Sequence, residues 1–117
     1  MTATTAVEIA DVLDKARAHI VRVGFCKKYL YNTSQARNGT PLDRCEVDLV
    51  GAINVAVHGT PRHVGGDPLT WGAEQALTAR IDAPSITTWC DYKGNGKDQA
   101  IRLLRDTADR LRRGAAE

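Results

Sequence analysis

The cysteine and histidine side chains are the groups in this chain that could bind a metal or attack a substrate. Cys45, His58 and His63 follow the spacing Cys-x12-His-x4-His, which resembles the second half of a zinc-finger ligand set. A tetrahedral zinc site needs a second thiolate close in sequence, and Cys26 lies 19 positions upstream of Cys45. We therefore expect no metal and no cofactor, with Cys45 buried as a small structural side chain.

A cysteine nucleophile would need a histidine base and an orienting acid within hydrogen-bond reach. The chain supplies all three residue types, but no motif brings them together. Cys90 is the least favoured candidate, because the adjacent carboxylate of Asp91 raises the pKa of its thiol and suppresses the thiolate. A cysteine-dependent enzyme using Cys45 or Cys90 is therefore an alternative, and a non-enzymatic protein is the main expectation.

Aromatic and basic residues are interleaved in two short segments that together offer a binding surface. Aromatic rings can stack on bases and lysines can meet phosphates, as in single-strand nucleic-acid binding. In the simpler alternative Phe25, Leu30 and Tyr31 pack inward and the lysines are only solvated, because strand-like alternation places adjacent residues on opposite faces. The candidate binding residues are Lys27, Lys28, Tyr29, Tyr31, Arg37, Tyr92 and Lys93.

The length and composition indicate a single domain over residues 1–117, in which residues 1–4 and 114–117 are expected to be flexible. The net charge is only +2, so charge alone does not indicate a nucleic acid or an anionic membrane as partner. An odd number of cysteines without a Cys-x-x-Cys pair favours a reducing compartment, and no apolar run reaches the length of a membrane span. We expect a cytoplasmic protein that does not bind membranes.

Four segments carry the apolar periodicity and the capping residues of helices, namely residues 5–23, 41–58, about 68–81 and about 97–113. The segment 41–58 is apolar over most of its circumference, which is typical of a helix at the centre of a bundle. Gly51 would weaken this helix by about 1 kcal/mol relative to alanine, so we infer that another helix crosses closely there.

Two further segments, residues 26–31 and 86–92, are rich in β-branched or aromatic residues and are expected to be extended and paired. The expected fold is thus mainly α, a compact four-helix domain with a short two-stranded β ribbon. Trp89 is expected to fill the space between the last helix and the central one, and Asp91 to accept backbone amides of the turn before Lys97. The residues assigned structural roles are Cys45, Gly51, Trp89 and Asp91.

Short motifs occur in a fixed order along the chain: Gly24-Phe25, a polar loop with Gly39, Cys45 before Gly51-Ala52-Ile53, and Trp89-Cys90-Asp91 ahead of a leucine-rich helix. In this order they resemble a family of small proteins of unknown function from actinomycetes and their phages. Members of that family typically have a Trp-Asn-Asp turn, where this chain has Cys90 in the middle position. The resemblance spans most of the chain and implies an actinobacterial or bacteriophage setting, without an activity.

The leading functional hypothesis is a non-enzymatic protein-interaction module that binds a protein partner or associates with itself. It follows from the incomplete metal and catalytic sets, the weak net charge, and a core that uses most of the apolar residues. The alternative is a small nucleic-acid-binding protein that uses Lys27, Lys28, Tyr29, Arg37 and the arginines of the last helix. Such binding should weaken steeply with salt.

Overall fold

The computed structural model describes residues 5–116, and in this range the predicted mainly α fold is confirmed. Four of its helices are long, as the periodicity predicts, and the connections between them hold three shorter helices. In chain order the elements are α1 (Ala6–Val23), α2 (Thr33–Arg37), a 3-10 helix (Leu42–Arg44), α3 (Leu49–His58), α4 (Pro68–Thr78), α5 (Ile86–Asp91) and α6 (Lys97–Ala116).

The core is built around α1. At its N-terminus the Thr5 hydroxyl oxygen accepts a hydrogen bond from the backbone N–H of Glu8 (3.1 Å), and the Glu8 carboxylate accepts one from the N–H of Thr5, which completes a capping box. The buried face, which includes Leu13 and Ile20, packs against α6, α3 and α4. The most extensive helix pairing is that of α1 with α6, and α3 packs against α1, α4 and α5.

The predicted helix over residues 41–58 begins later than its sequence indicates. Residues 42–44 form only the 3-10 helix, and the chain then becomes extended because Val47 pairs with two other segments. It forms a parallel bridge with Phe25 and an antiparallel bridge with Tyr31. A helical Val47 could not make these backbone hydrogen bonds, so the non-local pairing overrides the local helix signal.

The helix itself, α3, is capped by Asp48. The Asp48 carboxylate accepts a hydrogen bond from the backbone N–H of Gly51 at 2.7 Å. The predicted end at residue 58 is confirmed, since the next residue, Gly59, has φ 79° and adopts the left-handed conformation of a helix C-cap. α3 therefore has ten residues, of which five are buried: Leu49, Gly51, Ala52, Ile53 and Asn54.

The predicted β ribbon is wrong, because residues 86–91 of its second segment are helical. Residues 86–91 form α5, whose N-cap is Ser85; its hydroxyl accepts a hydrogen bond from the N–H of Thr88 at 3.1 Å. Ile86 and Cys90 are both buried and lie four positions apart, which is a helical spacing. The cap and the burial of these two side chains outweigh the β propensity of the segment.

The ends of α4 and α6 also differ from the prediction. α4 starts as predicted, with Asp67 as N-cap and Pro68 in the first turn, but ends at Thr78. α6 continues through Gly114 to Ala116, where a short tail is expected from the sequence. The predicted flexibility of residues 1–4 and 117 concerns positions that lie outside the described residues.

Candidate functional site

The loop of residues 26–30 is held at both ends by backbone hydrogen bonds to one extended segment. The carbonyl oxygen of Val47 accepts a hydrogen bond from the N–H of Cys26 (3.0 Å). At the other end of the loop, the N–H of Asn32 donates to the carbonyl of Glu46 (2.8 Å). The loop therefore leaves and rejoins the same short stretch of backbone, which fixes its ends.

Two more hydrogen bonds join this loop to the C-terminal end of α5. The backbone N–H of Lys28 donates to Oδ1 of Asp91 (2.9 Å), and Nζ of Lys27 donates to the carbonyl of Tyr92 (2.7 Å). Lys28 has φ 75°, a left-handed conformation that residues other than glycine rarely adopt. Segments 63 positions apart in sequence thus form one continuous surface.

We call this region the Tyr–Lys surface and define it as Lys27, Lys28, Tyr29, Tyr92 and Lys93. Its two tyrosines are unusually open to solvent, with 60% of Tyr29 and 43% of Tyr92 exposed. Lys28 and Lys93 are exposed as well, whereas Lys27 is half-buried. Five of the seven candidate binding residues therefore lie together, although a helix end and not a β ribbon brings them there.

The other two candidate binding residues lie elsewhere. Tyr31 is half-buried and packs against the hydrophobic core, as in the inward-packing alternative. Arg37 is exposed at the end of α2, and among the described residues no hydrogen bond or ion pair joins it to the Tyr–Lys surface. A binding role for either residue stays a prediction.

A buried carboxyl group lies beside the loop. Asp48 is 2% exposed, and its backbone N–H donates to the carbonyl of Leu30 (3.3 Å). Burial raises the pKa of Asp48 to about 6, and the negative charge of Asp91 adds to the shift, while the hydrogen bond from Gly51 opposes it. Asp48 therefore titrates in a range where an ordinary aspartate is already ionised.

The three cysteines all have thiols whose pKa lies above the ordinary value. Burial raises the pKa of Cys26 and of Cys90 to about 12, and burial also raises that of Cys45. Nearby carboxylates, among them Asp48 for the first two thiols, act in the same direction. These thiols stay protonated at neutral pH, which counts against a cysteine nucleophile.

The residues assigned structural roles are placed as follows. Cys45 is fully buried, and its thiol donates to the carbonyl of Pro41 (3.4 Å). Trp89 is half-buried and packs against the core, and its carbonyl accepts a hydrogen bond from the side-chain amide of Asn95 (2.9 Å). Asp91 accepts from Lys28 across the fold, so the expectation that its carboxylate caps the turn before α6 is corrected.

Gly51 is needed for a close approach, but its neighbour is a loop and not the predicted crossing helix. A Cβ atom at position 51 would lie 1.9 Å from the carbonyl oxygen of Leu30, far inside van der Waals contact. Only glycine lets the end of the loop reach the first turn of α3. Because Gly51 has no side chain, the loop can pack in this position.

Sequence reasoning missed a polar cluster that joins the end of α3 to the start of α4. Nε2 of His58 lies 2.6 Å from Oδ2 of Asp67 and 3.3 Å from the Thr70 hydroxyl, and Thr70 donates to Asp67 through both its hydroxyl and its N–H. Burial raises the pKa of Asp67, but its hydrogen bonds outweigh burial and lower the pKa overall. Both partners use the same ring nitrogen of His58, so the cluster lacks the relay of a catalytic triad.

Sequence reasoning also missed Trp71, which lies on α4 with 64% of its surface exposed. It lines a shallow cleft of about 290 Å³ together with Gly66, Asp67 and Pro68. The sequence does contain a signal for this exposure, because Trp71 lies outside the apolar positions that define the buried face of α4. An exposed tryptophan of this kind is an alternative contact point for a partner.

Cys45, His58 and His63, which have the zinc-like spacing, do not form a set of metal ligands in the structure. Cys45 is directed towards backbone carbonyls and His58 towards Asp67, and within residues 5–116 no three His, Cys, Asp or Glu side chains converge to hold a metal ion. The described helices also include none with the length and apolarity needed to cross a membrane.

Comparison with known proteins agrees with the resemblance that the motifs indicate. Neither the curated proteins nor the solved structures include a significant match to the chain. A family model described as a family of unknown function (DUF6197) matches residues 4–110, which is most of the chain. The chain therefore belongs to this family of unknown function, DUF6197.

Proposed function

We propose that this chain is a non-enzymatic interaction domain that binds an acidic segment of a partner protein through the Tyr–Lys surface. The observation that carries the proposal is the exposure of Tyr29 and Tyr92 on backbone that hydrogen bonds hold in place. Tyrosine is enriched among the residues that dominate binding energy at protein interfaces. Two open rings on anchored backbone favour binding over a purely structural role, because neither ring is needed to fill the core.

The charge of the surface favours an acidic partner. Lys27, Lys28 and Lys93 outnumber the one carboxylate hydrogen-bonded to the surface, Asp91. Exposed charges of this kind contribute to association rate and specificity more than to affinity. The tyrosine rings would therefore supply the contact area, and the lysines would select carboxylates. Because the loop is already held in position, little ordering of the backbone is needed on binding.

A second candidate function is the binding of single-stranded nucleic acid, and the same two rings favour it. Bases stack on exposed aromatic side chains, and lysines beside the rings meet phosphates. The net charge of +2 is low for such a protein, which is why we place this function second. The two functions differ in their salt dependence, since each phosphate contact releases counterions and steepens the loss of affinity with salt.

The two functions can be separated by fluorescence anisotropy at low salt. One probe is a fluorescein-labelled peptide rich in Glu and Asp, and the other is labelled oligothymidylate. We expect the peptide to bind and the double variant Tyr29→Ala/Tyr92→Ala to weaken binding at least tenfold, which corresponds to about 1.4 kcal/mol. Trp71→Ala is the matched control, since it removes an exposed aromatic side chain from another part of the surface.

Each outcome of this experiment decides between the alternatives. Binding of oligothymidylate alone, abolished by the same double variant, would favour the nucleic-acid function. If Trp71→Ala weakens peptide binding and the double variant does not, the binding site lies on α4 and not at the Tyr–Lys surface. Circular dichroism of every variant checks that the helices are retained. If neither probe binds, both proposals are wrong.

We propose that the domain acts in the cytoplasm of an actinobacterium or in cells infected by one of its phages. The motif resemblance supports this source, and three free cysteines support a reducing compartment. A second copy of the chain is the alternative protein partner. Light scattering over a range of concentrations tests it, and a mass that stays that of one chain would count against self-association.

A further inference from the structure

A polar cleft that is separate from the Tyr–Lys surface lies where the last turn of α1 meets the 3-10 helix. Its volume is about 510 Å³, and it is lined by Arg22, Val23, Asp43 and Arg44. Two arginines and one aspartate thus line the same space. Arginine presents a planar fork of N–H donors that matches the oxygens of carboxylates and phosphates.

One of the two arginines is held in place by a buried histidine. Nη2 of Arg22 lies 3.0 Å from Nδ1 of His19, and His19 is only 4% exposed. A guanidinium has only donors, so Nδ1 must be the acceptor and the ring proton must lie on Nε2. Burial lowers the pKa of His19, the charge of Arg22 lowers it further and Asp43 partly opposes them, which keeps the ring neutral.

The other ring nitrogen of His19, Nε2, is also unusual. Nε2 is buried, and no hydrogen-bond acceptor meets it among the described residues. A buried N–H donor left without a partner is unfavourable, and such groups are rare in folded proteins. Here the unsatisfied donor belongs to the residue that orients Arg22.

We propose that this cleft binds a small oxyanion, a phosphate or a carboxylate, on Arg22 and Arg44. The carboxylate of Asp43 disfavours a bare anion, because the two negative charges repel. It favours instead a ligand that carries a hydroxyl or an ammonium group beside its oxyanion, since that group can donate to Asp43. His19 keeps the Arg22 guanidinium oriented before binding, which reduces the ordering needed when the ligand arrives.

The proposal is tested by NMR titration of the ¹⁵N-labelled protein, with the side-chain signals of Arg22 and His19 as reporters. The probes are inorganic phosphate and O-phosphoethanolamine for the phosphate class, and acetate and glycine for the carboxylate class. Sodium chloride at matched ionic strength controls for screening. We expect saturable shifts with one class, and tighter binding of the member of that class that carries an ammonium group.

Three variants separate the roles of the lining residues. Arg44→Gln should weaken binding roughly tenfold, the loss expected for one charge-assisted contact. Asp43→Asn should remove the preference for the ammonium-bearing probe and strengthen binding of the bare anion. Arg102→Gln is the matched control, because it removes an exposed arginine of α6 outside the cleft. If Arg44→Gln does not fold, Arg22→Gln replaces it, with the added expectation that the ring signals of His19 change.

The proposal is overturned by any of three results: shifts that chloride reproduces, shifts that do not saturate, or equal weakening by Arg44→Gln and Arg102→Gln. It is supported if the probes saturate, the control variant binds like the unaltered chain, and Asp43→Asn changes the order of the probes. These outcomes do not depend on the Tyr–Lys surface, whose residues stay unchanged throughout.

Discussion

The carbonyl oxygen of Leu30 occupies the space in which a side chain on Gly51 would have to lie. The gap to an added Cβ atom would be 1.9 Å, and the obstructing atom belongs to backbone and cannot rotate away. Leu30 ends the loop that carries Tyr29, and Gly51 lies in the first turn of α3. This contact therefore couples the position of the candidate binding loop to the start of α3.

Gly51→Ala is expected to destabilise the protein by about 2 kcal/mol or more, because the backbone of the loop must move and the gain in helix propensity offsets only part of the cost. Gly72→Ala in α4 is the matched control. A Cβ there meets the end of the flexible Ile9 side chain at 2.8 Å, so the cost should be smaller. Urea denaturation of both variants measures the difference. Equal stabilities of the two variants would contradict the proposed backbone clash.

The buried carboxyl of Asp48 should make stability depend on pH between about 4 and 6. A group whose pKa is raised in the folded state binds its proton more tightly when folded, so its contribution is present at low pH and lost as the pH rises towards 6. Asp48→Asn keeps an oxygen that can cap Gly51 but does not titrate. The stability of the unaltered protein relative to this variant should fall by on the order of 3 kcal/mol from pH 4 to pH 7. A difference that is flat with pH, measured by urea denaturation, would contradict the buried titration.

The thiols should be unreactive in the folded protein. With the pKa of Cys26 and Cys90 at about 12, the thiolate fraction at pH 8 lies on the order of a thousandfold below that of an ordinary cysteine. We expect iodoacetamide to modify the native chain far more slowly than the chain in urea. Mass spectrometry of timed samples gives both rates. A cysteine that reacts in the native state at the denatured rate or faster would revive the enzyme alternative.

The left-handed backbone conformation of Lys28 should lower the stability of the fold, and glycine at this position should raise it. Lys28→Gly is expected to stabilise the fold by up to about 1 kcal/mol, whereas Lys28→Ala removes the same charge and keeps the unfavourable φ. Thermal denaturation compares the two variants. Identical melting temperatures would show that the conformation is not strained.

Asp91→Ala should weaken the attachment of the same loop to α5, because it removes the acceptor of the hydrogen bond that the backbone N–H of Lys28 donates. We expect a loss of about 1 kcal/mol and faster hydrogen exchange at the Lys28 amide. Asp98→Ala is the control, because it removes an exposed carboxylate from the first turn of α6. An unchanged exchange rate at Lys28 in Asp91→Ala would contradict the contact.

The features that the sequence predicts well are those decided by near neighbours. Thr5, Asp67 and Gly59 end or begin helices where expected, because each cap depends on residues within three or four positions. The features that it misses depend on distant partners. Val47 is extended because Phe25 and Tyr31 pair with it, and no local pattern around Val47 records that pairing.

The candidate site shows the same division. Interleaved lysines and tyrosines identify the two segments of the Tyr–Lys surface, and the structure brings them together at the end of α5. The hydrogen bond from the backbone N–H of Lys28 to Asp91 helps to join the two segments. It links residues 63 positions apart, and no periodic pattern in either segment indicates it. The contact between His58 and Asp67 was missed for a different reason, since a single histidine and a helix N-cap are both ordinary features when each is considered alone.

The pairing of α1 with α6 has a consequence for synthesis on the ribosome. The apolar face of α1 has its main partner in α6, which begins 91 residues after the start of α1, so the part of that face that α6 covers stays open while the intervening chain is made. At elongation rates of roughly 5 to 20 residues per second, this interval is on the order of 5 to 20 seconds. The part of the core between α1 and α6 can therefore form only after α6 has been synthesised.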